Sequence, residues 1–347
     1  MTWNDEPGII AEPDLLSETY VPPDIPGRHS QINELRLALL PASQRRKPTH
    51  CWVHGPPGTG KTATAKWLLR KLDAEVGVKG LYVNCWEYPT YFSVLDRIVR
   101  ELRVLGAERL TVSFKLERLQ RHIGDEPLVI VLDEIDQPAP KERHSLLYNL
   151  AQLGRVGLVC VCNSDHVYFG LDDRIKSRLN ALRIHYPPYS QNDLLAILRQ
   201  RAEHALVPGT WSETDLRRIA RLADGDARVG IQTLRNAALL AERDGANRVH
   251  ERHIRKGWRS VKDIKKTYLL RKLTDHHRLL YELIASHPGV LSGDLWRLYL
   301  KTCKRKGIAP IAVRTFSDYC NKLASLGLIE AKRAPIQGKV RQFSPVQ

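Results

Sequence analysis

The sequence predicts an α/β fold: a core on a doubly wound parallel sheet, then an all-α lid, then a C-terminal winged-helix domain. Three observations predict it. Short β-type runs alternate with helical stretches as far as Tyr186, helical patterns alone follow to Trp258, and the last quarter reads as three helices and a hairpin. The expected boundaries are 1–186, 187–262 and 263–347.

The core opens with a strand over Thr49–Val53 that runs into Gly55-Pro56-Pro57-Gly58-Thr59-Gly60-Lys61-Thr62 and a helix over Ala63–Leu72. Glycines at this spacing let consecutive backbone N–H groups turn onto phosphate oxygens, and the helix adds its positive N-terminal end. Lys61 is the point charge for the β- and γ-phosphates, and the Thr62 hydroxyl is placed for Mg²⁺. A second strand is expected over Gly80–Cys85. Thr90–Leu105 follows as an amphipathic crossover helix, with Phe92, Leu95, Ile98, Val99 and Leu102 on its apolar side.

Leu128–Leu132 is a continuous apolar run, as a parallel strand buried on both faces requires, and it ends in Asp133-Glu134-Ile135-Asp136. Carboxylates at the tip of a buried strand are costly unless they have work. Asp133 is expected to hold Mg²⁺ through its water shell, and Glu134 to polarise the water that attacks a γ-phosphate. A nucleoside triphosphate or diphosphate with Mg²⁺ is therefore the expected ligand. Further strands are expected over Gly157–Cys162 and over Ala181–Tyr186, the last ending at Pro187-Pro188.

The lid reads as helices over Gln191–Leu206, Ser212–Leu222 with Ser212 as N-cap, Ala227–Arg243 and His250–Trp258, followed by a basic helical segment over Val261–Lys272. The last domain reads as helices over Asp275–Ser286, Ser292–Lys304 and Ala312–Leu326, closed by a two-stranded hairpin. In a winged helix the third helix enters the major groove and the wing touches the backbone or minor groove. The DNA-contacting side chains expected are Arg314, Thr315, Ser317 and Lys322 on the helix, with Lys332, Arg333, Lys339 and Arg341 on the wing.

Charge supports that reading. The chain carries a formal +16, and 21 lysines and arginines face 7 carboxylates after residue 250, against 33 and 31 before it. A basic block of that size on a folded module is the electrostatic footprint of a nucleic-acid binder. The longest apolar runs are too short to span a bilayer, so a soluble, cytoplasmic and nucleoid-associated protein is expected. The six cysteines lie in apolar settings without C-x-x-C or zinc-type spacing, which points to reduced, buried thiols.

These motifs together resemble those of the AAA+ ATPases, and within them the replication initiators of the Orc/Cdc type found in archaea and eukaryotes, over nearly the whole chain. Gly55–Thr62 is similar to their Walker A and Leu128–Asp136 to their Walker B. Tyr20-Val21-Pro22 with Pro26-Gly27-Arg28 is similar to the initiators' adenine-side segment, which implies nucleotide contacts by Val21 and Arg28. Asn163 matches the polar sensor 1 position, and Gly225-Asp226-Ala227-Arg228 is similar to the sensor 2 segment, with Arg228 reaching for the γ-phosphate. Asp172–Leu179 resembles the arginine-finger box, with Arg178 in that role and Arg174 the alternative, acting on ATP held by a neighbouring subunit.

The resemblance implies an extra DNA-touching helix near Thr90–Leu105, for which Ala107–Val112 is another candidate; the region between Leu105 and Phe114 is short for a full insertion, and Gln137-Pro138-Ala139-Pro140 is unusually proline-rich. The resemblance implies an ATP-dependent initiator that binds duplex origin DNA and recruits a replicative helicase. It also implies slow, regulatory hydrolysis and association with itself or with related subunits on DNA. A transposition helper and an ATP-gated transcription regulator share these motifs and stand as the alternatives.

Overall fold

A computed structural model describes residues 8–106, 110–271, 273–334 and 340–346, and these divide into two bodies, one up to Trp258 and the other from Arg259. The first body begins with a helix, α1 (His29–Leu39), and then alternates strand and helix: β1 (Cys51–His54), α2 (Lys61–Lys71), β2 (Lys79–Asn84), α3 (Tyr91–Glu101), α4 (Val112–Ile123), β3 (Leu128–Asp133), α5 (Pro140–Leu150), β4 (Val156–Cys162), α6 (His166–Phe169), α7 (Asp173–Leu179) and β5 (Leu182–His185). The strands form one parallel sheet in the order β2-β3-β4-β1-β5. All five expected strands are present.

Side-chain alternation along those strands builds two cores. Trp52, Ile130, Leu132, Leu158, Cys160 and Cys162 face one side, under α3, α4, α5 and α7. Cys51, Val53, Val129, Val131, Val159 and Val161 face the other, under α1 and α2. Both faces are covered, which is why β3 and β4 are buried at every position, and β3 is apolar at every position up to Leu132 rather than at every second one. The six cysteines are free and buried.

Two expectations about the crossover between β2 and β3 are corrected. The amphipathic helix stops at Glu101 because Arg103 turns left-handed at φ 53°, so Leu102–Leu105 lies outside it. Phe92 is about half exposed and packs under the Lys115 ammonium instead of entering the core. Helix α4 was not expected at all, although Leu116, Leu119 and Ile123 carry its apolar spacing. Of the short insertion, residues Ala107 to Arg109 lie outside the described ones. Pro140 of the proline-rich stretch takes the first turn of α5, where a missing N–H costs nothing.

The helices after β5 are α8 (Gln191–Ala205), α9 (Glu213–Ala223), α10 (Ala227–Arg243) and α11 (Glu251–Arg271). Capping boxes at Ser190/Asp193 and Ser212/Asp215 and an Asp226 cap start the first three. The segments expected over His250–Trp258 and Val261–Lys272 merge into one helix, Glu251–Arg271, with Lys272 outside the described residues, and the division between the bodies falls inside that helix. The stretch from Ile9 to Tyr20 packs with the lid helices rather than the sheet. Ile9 and Leu16 join their core, Ala11 and Glu12 N–H groups donate to the Ala205 carbonyl, and the buried Arg201 guanidinium holds the Leu15 and Tyr20 carbonyls at 2.6 and 3.1 Å.

The second body holds α12 (Asp275–Ser286), β6 (Val290–Leu291), α13 (Ser292–Lys306), α14 (Val313–Ser325), β7 (Ile329–Arg333) and β8 (Arg341–Pro345). The sheet has three strands in the order β6-β8-β7, not the two of the expected hairpin. Two residues, Val290 and Leu291, are too short a run to be read as a strand, yet they pair with Phe343 and Gln342. Tyr299 is fully buried at the centre: its hydroxyl bonds His276 at 2.8 Å and accepts the Ile311 N–H at 3.1 Å, which fixes the approach to α14.

One buried group links this packing to pH. His50 Nδ1 accepts the Leu158 N–H at 3.0 Å just before β1, and burial, with the Lys47 charge, lowers its pKa from 6.5 to about 4. Its stabilising contribution is therefore full above pH 6.5 and lost as pH falls through about 4, a total on the order of 3 kcal/mol. Thermal unfolding midpoints measured across that window should drop for the native chain and drop less for His50→Asn, which keeps an acceptor but cannot charge.

Candidate nucleotide-binding site

The tips of β1, β4 and β3 are neighbours in the sheet, and the candidate site is built at those tips. The loop after β1 turns back over itself, with Gly58 and Gly60 left-handed at φ 75° and 84°. A Cβ on Gly58 would fall 1.9 Å from the Asp226 carboxylate, and one on Gly60 2.3 Å from the Tyr189 hydroxyl. Only glycine permits the lid to come this close. The lid closes on the loop through the backbone as well, where the Ala227 N–H donates to the Gly58 carbonyl at 3.0 Å.

Lys61 starts α2 and is buried, 7 % exposed, so its charge must be met by protein atoms. Its ammonium donates to the Gly55 carbonyl at 2.7 Å, the Pro56 carbonyl at 2.8 Å and Asn163 Oδ1 at 3.2 Å. Burial pulls its pKa below the ordinary lysine value, and the Glu134 and Asp133 carboxylates pull it back up. Thr59 donates its hydroxyl to the Pro56 carbonyl at 2.8 Å, closing the loop.

Asn163, just past β4, also donates from Nδ2 to Glu134 Oε2 at 2.8 Å. A chain of contacts thus runs Lys61, Asn163, Glu134. Glu134 sits at φ 54°, a left-handed conformation that costs a non-glycine residue about 1 kcal/mol or more, and its N–H donates to Asp133 Oδ1 at 2.9 Å. Burial first, then the Asp136 and Asp133 charges, raise the Glu134 pKa, the direction that makes a carboxylate a better proton acceptor at neutral pH.

Asp133, 2 % exposed, accepts from the Thr62 hydroxyl and from the Tyr82 hydroxyl, both at 2.7 Å and both on Oδ2. One carboxylate beside one hydroxyl is a hard, oxygen-only pair suited to Mg²⁺, which keeps most of its shell as water and phosphate oxygens. Among the described residues no cluster of three His, Cys, Asp or Glu forms a closed metal cage. The residues present fit a magnesium ion shared with a nucleotide: Thr62 and Asp133 are those that would hold it.

The remaining expected residues are placed as follows. Arg28 is buried and spends its guanidinium on the protein, donating to the Thr59 carbonyl at 2.9 Å and the Pro187 carbonyl at 2.6 Å and stacking 3.7 Å over the Tyr189 ring. Val21 is buried too, its carbonyl taken by Arg70 at 3.3 Å. Arg228, in the first turn of α10, pairs with Glu18 at 3.1 Å, and the same carboxylate accepts from Gln232. Arg178 and Arg174 lie on the exposed side of α7, with Arg178 4.3 Å over the Tyr148 ring.

On the second body, α14 exposes Arg314, Asp318, Asn321, Lys322 and Ser325, while Thr315 and Ser317 flank that face half-buried. Lys332 and Arg333 are exposed on β7, Lys332 paired with Glu330 at 2.9 Å. Arg341 bonds Asn321, tying the wing to the helix, and Lys339 lies outside the described residues. Sequence reasoning missed Tyr82, Tyr189, Glu18 and Asn321. None has a motif of its own; only alternation along β2 placed Tyr82 on the same face as the sheet residues under α2.

Three regions match family descriptions: an AAA ATPase domain over 24–161, a Cdc6 AAA+ ATPase-type lid domain over 195–259 and a CDC6 C-terminal winged-helix domain over 271–344. The chain is 32 % identical to an ORC1-type DNA replication protein of Pyrococcus furiosus, across 93 % of this chain and 83 % of that protein. It is 32 % identical to ORC1-type DNA replication protein 1 of Halobacterium salinarum, across 84 % and 95 %. Among solved structures it is similar to the Aeropyrum pernix ORC1 protein in complex with DNA, at TM-score 0.77, 30 % identity and coverage of 98 % and 94 %.

Two substitutions test the site. Lys61→Ala should abolish nucleotide binding measured by calorimetry. Glu134→Gln should bind ATP within a few-fold of the native chain while single-turnover hydrolysis drops by roughly 100-fold or more; turnover at the native rate would show that Glu134 is not the base.

Proposed function

Because the chain belongs to the family of ORC1-type DNA replication proteins, AAA+ ATPases with a Cdc6-type lid and winged helix, we propose that it is an ATP-dependent replication initiator. In this reading it binds duplex origin DNA through the winged helix and helps recruit the replicative helicase, with its ATP or ADP state setting its conformation. The observation that carries the reading is the Lys61-Asn163-Glu134 chain beside the Thr62-Asp133 pair, in a protein whose positive charge is concentrated after residue 250.

The residues would act as follows. Lys61 exchanges its loop carbonyls for β- and γ-phosphate oxygens. Asn163 keeps Glu134 aimed, and Glu134 accepts the proton of the attacking water. Mg²⁺, when bound through Thr62 and Asp133, neutralises phosphate charge and so favours departure of the leaving oxygen. Arg228 leaves Glu18 for the γ-phosphate, so that loss of this phosphate is felt at α10 and the lid. Arg178, with Arg174 the second choice, serves ATP on an adjacent subunit, and this makes hydrolysis by the lone chain slow.

DNA is held by Arg314, Thr315, Ser317 and Lys322 on α14 and by Lys332, Arg333, Lys339 and Arg341 on the wing. Arg314 and Lys322 share an exposed face with Asn321, which supports a groove-facing role for that face. Footprinting with ATP and with ADP across the replicon that encodes the chain tests the proposal: protection at repeats beside its own gene is expected, whereas scattered promoter protection without helicase recruitment would mark a transcription regulator. Arg314→Ala with Lys322→Ala should weaken duplex binding by roughly 10- to 100-fold and flatten its salt dependence by about two phosphate contacts, leaving ATP affinity unchanged.

A further inference from the structure

We infer that Tyr82 is a positioning residue of the magnesium site: its hydroxyl pins the Asp133 carboxylate so that the metal meets a fixed ligand. This rests on the reading of the pocket as a Mg²⁺-nucleotide site. Tyr82 belongs to none of the motifs that mark the pocket, and it reaches the site from β2, an edge strand whose one neighbour is β3. The register sets Tyr82 opposite Val131, so Asp133, two residues on, lies on the same face of the sheet. The ring spans the remaining gap, placing the phenol oxygen 2.7 Å from Asp133 Oδ2.

The three donors around this carboxylate differ in what they are free to do. The Glu134 N–H on Oδ1 is backbone and fixed in place. Thr62 donates to Oδ2 at 2.7 Å, but its hydroxyl oxygen is also the one that would meet the metal. Tyr82 has no second task at the site. Its ring is held from the other side by the Lys66 ammonium, 4.5 Å from the ring centroid and one turn along α2 from Thr62, so the phenol is itself clamped between strand and helix. A phenylalanine would fill the same space, and what the hydroxyl adds is directed at Asp133.

Removing that donor leaves Thr62 as the one remaining side-chain hydrogen-bond donor to this carboxylate among the described residues, and the hydrated metal then has to order a carboxylate that the native chain presents already ordered. Groups that orient a metal ligand from behind typically affect metal affinity by roughly 10- to 100-fold. For Tyr82→Phe in the full chain, the free Mg²⁺ needed for half-maximal enhancement of binding of a fluorescent ATP analogue should rise roughly tenfold, with affinity in excess EDTA unchanged within about twofold. Mn²⁺ binding to the nucleotide complex, followed by electron paramagnetic resonance, should weaken in parallel.

Thermal unfolding without nucleotide accompanies both measurements. A lowered midpoint together with an unmoved Mg²⁺ requirement would mean that Tyr82 only packs, and the inference is then wrong; a lowered Mg²⁺ requirement would overturn it equally. Native protein that binds no nucleotide at all would remove the reading of the pocket itself, an outcome distinct from a Mg²⁺ dependence that is normal in both chains.

Discussion

The Lys61 ammonium is almost out of reach of water, and meeting its charge dictates the shape of the pocket around it. Two carbonyls of its own loop, from Gly55 and Pro56, and the Asn163 side-chain oxygen supply the contacts. These neutral partners are weaker than a fully charged oxyanion would be. Because Asn163 is shared with Glu134, the Lys61 ammonium and the Glu134 carboxylate are joined through one amide.

The sheet makes this convergence possible. Its strand order brings the end of β4 between those of β3 and β1, so residues 71 and 102 positions apart in the chain meet within hydrogen-bonding distance. Burying β3 on both faces is what makes its charged terminus informative, since Asp133 has to be satisfied at once by Thr62, Tyr82 and the following N–H. The lid is fitted to the same place. Tyr189 and Asp226 occupy the space that side chains on Gly60 and Gly58 would need, and Arg28 is drawn into the packing beneath, away from solvent.

The segment before Tyr20 adds a mechanical link. It is hydrogen-bonded to α8 through Ala205 and Arg201, and its Glu18 holds Arg228 at the start of α10. The chain then passes through Val21 and Arg28 to the loop-facing side of the core. In the second body the same economy appears on a smaller scale: the Tyr299 hydroxyl joins α12, α13 and the start of α14, and Arg341 joins the wing to the helix it flanks.

Much of this could be read from the residues alone. Apolar runs of strand length, glycines at loop spacing and carboxylates at the end of β3 are local signals, and they identified the five-stranded sheet, the phosphate loop and the lid helices with errors of a few residues. Where reading failed, the signal was too short or not local, except at α4, whose Leu116, Leu119 and Ile123 spacing is local and was legible. Val290 and Leu291 form a strand because β8 lies beside them, and Arg103 ends α3 through a backbone turn that its side chain does not announce. The bonds of Arg28 to two carbonyls follow from where Pro187 and Thr59 lie in space, which its own neighbours in the chain do not reveal. The sequence by itself determined which chemistry is present, because residue type sets charge, hydrogen-bonding capacity and backbone freedom. Only the tertiary structure decided which partners each group has, since Tyr82 meets Asp133, and Glu18 meets Arg228, through strand register and chain packing that no local pattern encodes.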